Sequence, residues 1–169
     1  KPICVICNGE IYNFDKLIKE NNFTTYSNSD CEVILYLYEK YGMDGMIKKL
    51  DSESFAFALY DGEKNQVYVG RDRYGVRPLF MCRLPNNEFV FASEAKSIIP
   101  LISDDSKIYQ FKPSHWKTFT LSDTIQEHKY NSYHNYYYKP ISYSNENLIC
   151  ANIRKYLSEA VNKRMMSDR

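Results

Sequence analysis

The chain has 169 residues, of which 44% are hydrophobic and 15% aromatic, as expected for one globular domain. Its 22 basic and 21 acidic residues leave a net charge of +1, so charge favours neither nucleic acid nor an anionic membrane as a partner. The sequence shows no bilayer-spanning apolar run and no signal segment. Its five scattered cysteines argue against a secreted disulfide framework and predict a cytoplasmic protein.

Both ends of the sequence read as the interior of a longer chain. The first residue is lysine rather than methionine, and residues 2–7 have the pattern of a buried strand. Residues 166–169 directly follow a long helical pattern. We therefore expect further residues before and after this segment.

Strand and helix signals alternate in the first third of the chain. The opening strand ends at Asn8-Gly9, a turn signal. Asn13 is expected to cap a short helix. Residues 29–32 have the Ser-x-x-Glu form of a capping box. They open an amphipathic helix over 33–41, with Gly42 as its expected C-cap.

From residue 55 the pattern changes to hairpins. Six segments have the alternation and turn signals of strands: 55–60, 66–70, 79–84, 88–92, 117–121 and 125–129. A short helix over 94–99 is expected to end at Pro100. The tyrosine-rich connector 133–143 is expected to pack against other residues, and a long helix is predicted over 145–166.

This order of elements predicts an α+β fold of antiparallel sheets, with the helices segregated to outer layers. The strands at 55–60 and 79–84 are nearly continuous apolar runs. Each sheet is therefore expected to be covered on both faces, as in a sandwich of two sheets between helices.

Several segments resemble the glutaminase domain of glutamine-dependent asparagine synthetases. The clearest are NGEIYN at 8–13, SD-x-E at 29–32, FAFALYD at 55–61, GRD-x-x-G-x-x-PL at 70–79 and a FASE-x-K run within 91–97. The GRD and ASE segments are shared with other class II glutamine amidotransferases, whereas Glu10-Ile11-Tyr12 is the narrower signal. The resemblance covers nearly the whole chain in order. It implies a four-layer αββα sandwich of the N-terminal nucleophile hydrolase type, here truncated.

The resemblance also implies roles in amide hydrolysis. Asn8 and Gly9 would form the oxyanion hole through a side-chain amide and a backbone N–H. Asp30, with Glu10 nearby, would bind the α-ammonium group of a glutamine substrate. From the residues alone, Asn8-Gly9 would be a type I′ turn and Asp30 a helix-dipole partner. Only the surrounding motif favours the roles in the oxyanion hole and in ammonium binding.

The charged pair Arg71-Asp72 is interpreted as a structural organiser of the site loop. Adjacent charges at the end of an apolar strand favour an internal ion pair or backbone contacts over chemistry. Gly75 is expected to shape the same loop.

The cysteines and histidines predict no metal site. Cys4-x-x-Cys7 lacks the second ligand pair that a zinc site needs, and on a strand its two side chains would face opposite sides. Both cysteines are expected to be small core residues. The three histidines have no ligand spacing.

The family resemblance further implies parts that these residues do not contain. Its nucleophile is an N-terminal cysteine whose α-amine acts as base, and an upstream arginine binds the glutamine carboxylate. ATP and Mg²⁺ would act in a synthetase domain that follows. The expected domains are therefore the glutaminase part, 1–143, and a helix leading into the synthetase domain, 144–169. The chain alone is expected to be inactive, and a homodimer is among the assemblies to expect.

The parent protein is expected to convert glutamine, aspartate and ATP to asparagine, glutamate, AMP and diphosphate. Two alternatives stay open. Another class II amidotransferase or a lactam-forming relative would differ in the acceptor site of the missing domain. A non-catalytic binding domain would have natural ends near Lys1 and Arg169. Residues 50–55 depart from the family's L-D-G pattern, which could alter that turn.

Overall fold

The computed structural model describes residues 2–51, 54–103, 106–134 and 145–165. The chain forms two compact units, residues 1–134 and 135–169. The strands are β1 Ile3–Gly9, β2 Phe55–Asp61, β3 Gln66–Arg71, β4 Phe80–Arg83, β5 Phe89–Ala92, β6 Ile108–Gln110, β7 His115–Thr120, β8 Gln126–Glu127 and β9 Asn131–Ser132. The α-helices are α1 Phe14–Asn21, α2 Val33–Lys49 and α3 Glu146–Arg164. The predicted domain boundary at residue 143 stays a prediction.

All strands of the described residues lie in the first unit and form two antiparallel sheets. The six-stranded sheet has the order β1-β2-β3-β7-β8, and β9 also pairs with β7. Its register places Gly9 of β1 opposite Phe55 of β2. The three-stranded sheet has the order β5-β4-β6.

Side-chain alternation along the six-stranded sheet builds two cores. Phe55 and Phe57 of β2 face helices α1 and α2 and pack with buried residues such as Leu37. Ala56 and Val69 face the other way and pack with the three-stranded sheet around Leu79, Met81 and Phe111. A helical layer thus covers one sheet, which in turn packs on the second. The predicted α+β sandwich of antiparallel sheets is confirmed.

The helical geometry of α2 breaks at Gly42, the predicted C-cap, and a second helical segment follows it. Gly42 adopts a positive φ of 65° and interrupts the helical geometry, but the helix continues to Lys49. Met46 and Ile47 of the second part are almost fully buried in the helical core. Burial of these side chains explains why the helix resumes beyond a residue that usually ends one.

The predicted side-chain cap at Asn13 is wrong. Asn13 occupies the N-cap position of α1 but makes no side-chain cap bond. Its Nδ2 donates to the Lys49 carbonyl (2.9 Å), and its Oδ1 accepts from the Asp51 backbone N–H (3.1 Å). The Asn13 side chain therefore binds the backbone at the C-terminal end of α2 and does not cap α1.

Strand β1 is half-buried rather than buried on both faces. Its exposure alternates along the strand, and Ile6 is 75% exposed. Cys7 packs against the helical core, but Cys4 is exposed, so the prediction that both cysteines are core residues is wrong for Cys4. The reason is that β1 is an edge strand, and the described residues leave part of its second face uncovered.

The region after β5 differs most from the prediction. The expected helix over 94–99 is instead two 3₁₀ helices, Ala95–Ser97 and Ile99–Leu101, with Pro100 inside the second. Proline fits the first turn of a helix, where its missing N–H removes no bond. Strand β6 was not predicted, because three residues give little periodicity. Most of the tyrosine-rich connector lies outside the described residues.

Helix α3, in the second unit, begins close to its predicted start. The Asn145 side chain caps it by accepting from the Leu148 backbone N–H (3.3 Å). Its apolar residues Ile153, Tyr156 and Leu157 are each more than 60% exposed. None of the helices in the described part of the chain is long and apolar enough to cross a membrane.

Candidate functional site

Asn8 and Gly9 lie in a strand, not in the type I′ turn that the dipeptide alone would suggest. They are the last two residues of β1 and pair with Ala56 and Phe55 of β2. Asn8 projects toward the three-stranded sheet, where its Nδ2 donates to the Ser93 hydroxyl oxygen (3.0 Å). The side-chain amide is therefore held at the end of a strand by a residue that directly follows β5 of the second sheet.

A cleft lies between the two sheets beside Asn8. Its volume is about 200 Å³, which suits a group the size of an amino-acid side chain rather than a drug-sized ligand. Most of its wall is apolar, from residues such as Ile6, Leu79 and Phe91, and Asn8 and Ser93 add polar groups. An apolar cleft with few polar groups can orient an uncharged polar substrate group.

The backbone of β2 requires a glycine at position 9. A Cβ atom there would lie 2.2 Å from the Ser54 carbonyl oxygen and 2.6 Å from the Phe55 Cα. Both are backbone atoms, so no side-chain movement could relieve the overlap. The next residue, Glu10, donates its backbone N–H to the same Ser54 carbonyl (2.8 Å).

Asp30 lies beside the end of β1, although it is 20 residues farther along the chain than Glu10. It opens a short 3₁₀ helix, Asp30–Glu32, and its Oδ2 accepts from the Ile11 backbone N–H (2.5 Å). The Cys31 thiol contacts the Gly9 carbonyl from the same turn (3.7 Å). Among the predicted site residues, the fold thus brings Asp30 to the segment that carries Asn8, Gly9 and Glu10.

The predicted capping box at residues 29–32 does not form. Ser29 makes no side-chain cap bond. The Glu32 carboxylate instead accepts hydrogen bonds from Ser27, from the Tyr36 hydroxyl and from the Tyr26 backbone N–H. The bonds from Ser27 and Tyr36 lower the pKa of Glu32 to about 2. The carboxylate orders the loop before Asp30 because it accepts hydrogen bonds from three neighbouring residues at once.

Cys7 lies next to the site but is poorly suited to act as a nucleophile. A hydrogen bond with the Cys31 thiol, together with burial, raises the pKa of Cys7 above its usual value. The thiolate is the reactive form of cysteine, so a raised pKa makes Cys7 less nucleophilic. Among the described residues, no group of three or more His, Cys, Asp or Glu side chains could hold a metal ion.

Arg71 is buried at the end of β3 and binds backbone rather than an acidic partner. Only 2% of its surface is exposed. Its guanidinium donates to the carbonyl oxygens of Gly75, Arg77 and Phe111, each at 2.7 Å. Burial lowers the pKa of Arg71, and the neighbouring Asp72 opposes that shift. The side chain ties the loop after β3 to the chain that leads to β7.

Asp72 organises the same loop by accepting hydrogen bonds, whereas Arg71 donates them. It is fully buried, and its carboxylate accepts from the backbone N–H groups of Tyr74, Val76 and Arg77 at 2.9–3.0 Å. Gly75 between them has a φ of 68°, and a Cβ there would lie 2.8 Å from the Pro113 ring. The tight turn therefore requires glycine both for its backbone and for space.

Arg77 and Ser54 connect this loop to the site, and the sequence analysis did not identify either residue. Arg77 Nε donates to the buried Ser54 hydroxyl (3.0 Å). Ser54 in turn accepts the Glu10 backbone N–H. Ser93, the partner of Asn8, was also missed as a site residue, although it lies in the FASE segment. Arg77 and Ser93 lie within motif segments, which was the available signal for them, whereas Ser54 lies just before one and its contacts form only across the fold.

Comparison with known proteins identifies the domain. Residues 1–136 match the family model of the glutamine amidotransferase domain. A probable glutamine-hydrolysing asparagine synthetase of Acanthamoeba polyphaga mimivirus is 33% identical over 180 residues, covering 97% of this chain and 32% of that protein. The glutamine-hydrolysing asparagine synthetase of Pongo abelii is 32% identical over 185 residues, covering 99% of this chain and 33% of that protein.

Among solved structures, glutamine phosphoribosylpyrophosphate amidotransferase from B. subtilis has a similar fold. The TM-score is 0.58 at 20% identity, over 75% of this chain and 29% of that chain. The chain spans about a third of the length of the curated relatives that it matches. The family match over residues 1–136 and the shared fold agree with the sandwich and the motifs described above: the chain belongs to the glutamine amidotransferase domain family.

Proposed function

We propose that this chain is the glutamine-binding part of a glutamine-hydrolysing asparagine synthetase. Two observations at one end of β1 carry the proposal: Asn8 lines a cleft of about 200 Å³, and Asp30 binds the backbone of Ile11, two residues after Gly9. Residues from distant parts of the sequence are thereby combined into an amide-recognition site. The asparagine synthetases at 32–33% identity support the choice of acceptor chemistry.

In this proposal, Asn8 and Gly9 stabilise the oxyanion that forms when the glutamine carboxamide is attacked. An amide NH₂ group has two hydrogens, and Ser93 accepts one of them from Asn8. The bond to Ser93 fixes the orientation in which the second hydrogen is offered to the substrate. Loss of one oxyanion donor typically lowers kcat about 10²- to 10³-fold.

Asp30, with Glu10, would bind the α-ammonium group of glutamine. Asp30 uses Oδ2 on the Ile11 backbone N–H, and a carboxylate has further lone pairs to offer a cation. The bonds that Arg71 and Asp72 make around Gly75 support a structural role for these three residues. Their effect on glutamine would be indirect: they fix the loop whose Arg77 binds Ser54, and Ser54 binds the Glu10 backbone.

The remaining chemistry lies outside these residues. The relatives are about three times longer than this chain, which supports a further synthetase domain in the parent protein. There, ATP and Mg²⁺ would activate aspartate as an acyl-adenylate, and ammonia released from glutamine would attack it. An N-terminal cysteine upstream would supply the nucleophile. All five cysteines lie among the described residues and are free thiols, which supports a reducing, cytoplasmic setting.

The test compares two nitrogen sources in the longer protein that contains this chain. Asp30→Asn and Asn8→Asp should each lower glutamine-dependent asparagine formation at least 10²-fold and leave ammonia-dependent formation within about twofold. Asp15→Asn, an exposed first-turn carboxylate of α1, is the matched control. Equal loss with both nitrogen sources, or no loss with glutamine, would contradict the assignment.

A further inference from the structure

A second cleft lies between the sheets, away from the Asn8 site. It has a volume of about 440 Å³ and is bordered by strands β4, β6 and β8 and by the chain around Tyr130. None of its lining residues also lines the cleft at Asn8. Its size falls in the range of small-molecule sites, and nothing in the proposed glutamine chemistry uses it.

Positive charge outweighs negative charge around this cleft. Arg83, Lys112 and Lys117 line it together with one carboxylate, Glu127. Lys117 is 7% exposed and forms an ion pair with Glu127. For Arg83 and Lys112, the described part of the chain provides no acidic partner within salt-bridge distance. Arg83 and Lys112 are exposed, so the surplus positive charge faces solvent at the rim of the cleft, where it attracts an anion.

The cations are arranged around aromatic rings. The ammonium groups of Lys112 and Lys117 lie 5.1 and 4.3 Å from the centroid of the Tyr130 ring. The Arg83 guanidinium lies 5.7 Å from the centroid of Phe89. Tyr130 is itself anchored, since its hydroxyl contacts the Met81 sulfur (3.4 Å). The positive charges therefore lie over the rings of Phe89 and Tyr130, and the exposed ring of Tyr109 also lines the cleft.

We propose that this cleft binds a small anion with a flat apolar body, such as a nucleoside monophosphate. The exposed ring of Tyr109, which lines the cleft, would stack on the flat group. Lys112 and Arg83 would pair with the negative charge, and Lys117 would share its charge between Glu127 and the ligand. A site of this kind would sense a metabolite independently of glutamine binding, and the inference does not rest on the proposed function.

The test uses isothermal titration of the 169-residue chain with three probes. AMP carries both the flat group and the charge, adenosine carries only the flat group, and inorganic phosphate carries only the charge. AMP is expected to bind at least about tenfold more tightly than either of the others, since each lacks one half of the interaction. No binding of AMP at millimolar concentration, or equal binding of AMP and phosphate, would overturn the proposal.

Two charge variants should shift the AMP affinity in opposite directions. Lys112→Gln removes an exposed cation and is expected to weaken binding about threefold, whereas Glu127→Gln removes the competing carboxylate and should tighten it about threefold. Lys16→Gln, on an exposed lysine of α1, is the matched control and should change nothing. Shifts of the same sign in Lys112→Gln and Glu127→Gln, in protein that remains folded, would refute the assignment.

Discussion

Replacement of Arg71 by methionine tests how strongly the loop after β3 depends on one side chain. The guanidinium is 2% exposed and donates to three carbonyl oxygens. Hydrogen bonds from a charged donor each contribute about 1.5 kcal/mol or more, so their loss would cost about 4–5 kcal/mol. Relief from burying the charge returns part of that cost. We expect Arg71→Met to lower the free energy of unfolding by about 3 kcal/mol.

The measurement is urea unfolding followed by the fluorescence of Trp116, the single tryptophan. Trp116 is 9% exposed in the folded protein, so unfolding changes its environment. Arg83→Met, which removes an exposed guanidinium, is the control and should change stability by less than about 0.5 kcal/mol. If Arg71→Met and Arg83→Met had the same effect, the three carbonyl bonds would not stabilise the loop.

Two further predictions concern the strand end and the pH response. Gly9→Ala should destabilise the fold by at least about 3 kcal/mol in urea unfolding, because its Cβ would lie 2.2 Å from the Ser54 carbonyl oxygen; an effect below about 1 kcal/mol would contradict the close approach. Burial alone would raise the pKa of Asp61, but hydrogen bonds from Tyr38 and Lys64 hold it at about 2. The stabilisation is therefore complete above about pH 4 and is lost as the pH falls toward 2. The stability gap between wild type and Asp61→Asn, about 2 kcal/mol at pH 6, should close over that range; a gap independent of pH would refute the linkage.

The sequence was sufficient for the fold class because hydrophobic periodicity reports which faces are buried. The nearly continuous apolar run along β2 predicted a strand between two layers, and the structure places Phe55 and Ala56 in different cores. Hydrophobic periodicity did not predict the short elements. Strand β6 has three residues. The cap expected at Asn13 failed because the Asn13 side chain bonds the Lys49 carbonyl instead. The capping box expected at Ser29 failed because the Glu32 carboxylate bonds Tyr26, Ser27 and Tyr36 instead.

For the candidate site too, some residues could be predicted from the sequence and others could not. Asn8, Gly9 and Asp30 were named from motif segments, and the fold brings Asp30 to the end of β1. Ser93 and Ser54 were missed as site residues because their contacts span 85 and 44 residues of sequence, which no local pattern encodes. Cys4 was misplaced because the exposure of an edge strand depends on which neighbours cover it.

The most direct test of the central claim is a structure of the longer protein with a non-hydrolysable glutamine analogue bound. The account predicts that the analogue's carboxamide oxygen lies within hydrogen-bond distance of Asn8 Nδ2 and the Gly9 backbone N–H. Its α-ammonium group should contact the Asp30 carboxylate. An analogue bound with its carboxamide away from Asn8 and Gly9 would contradict the account, whatever the overall activity of the protein.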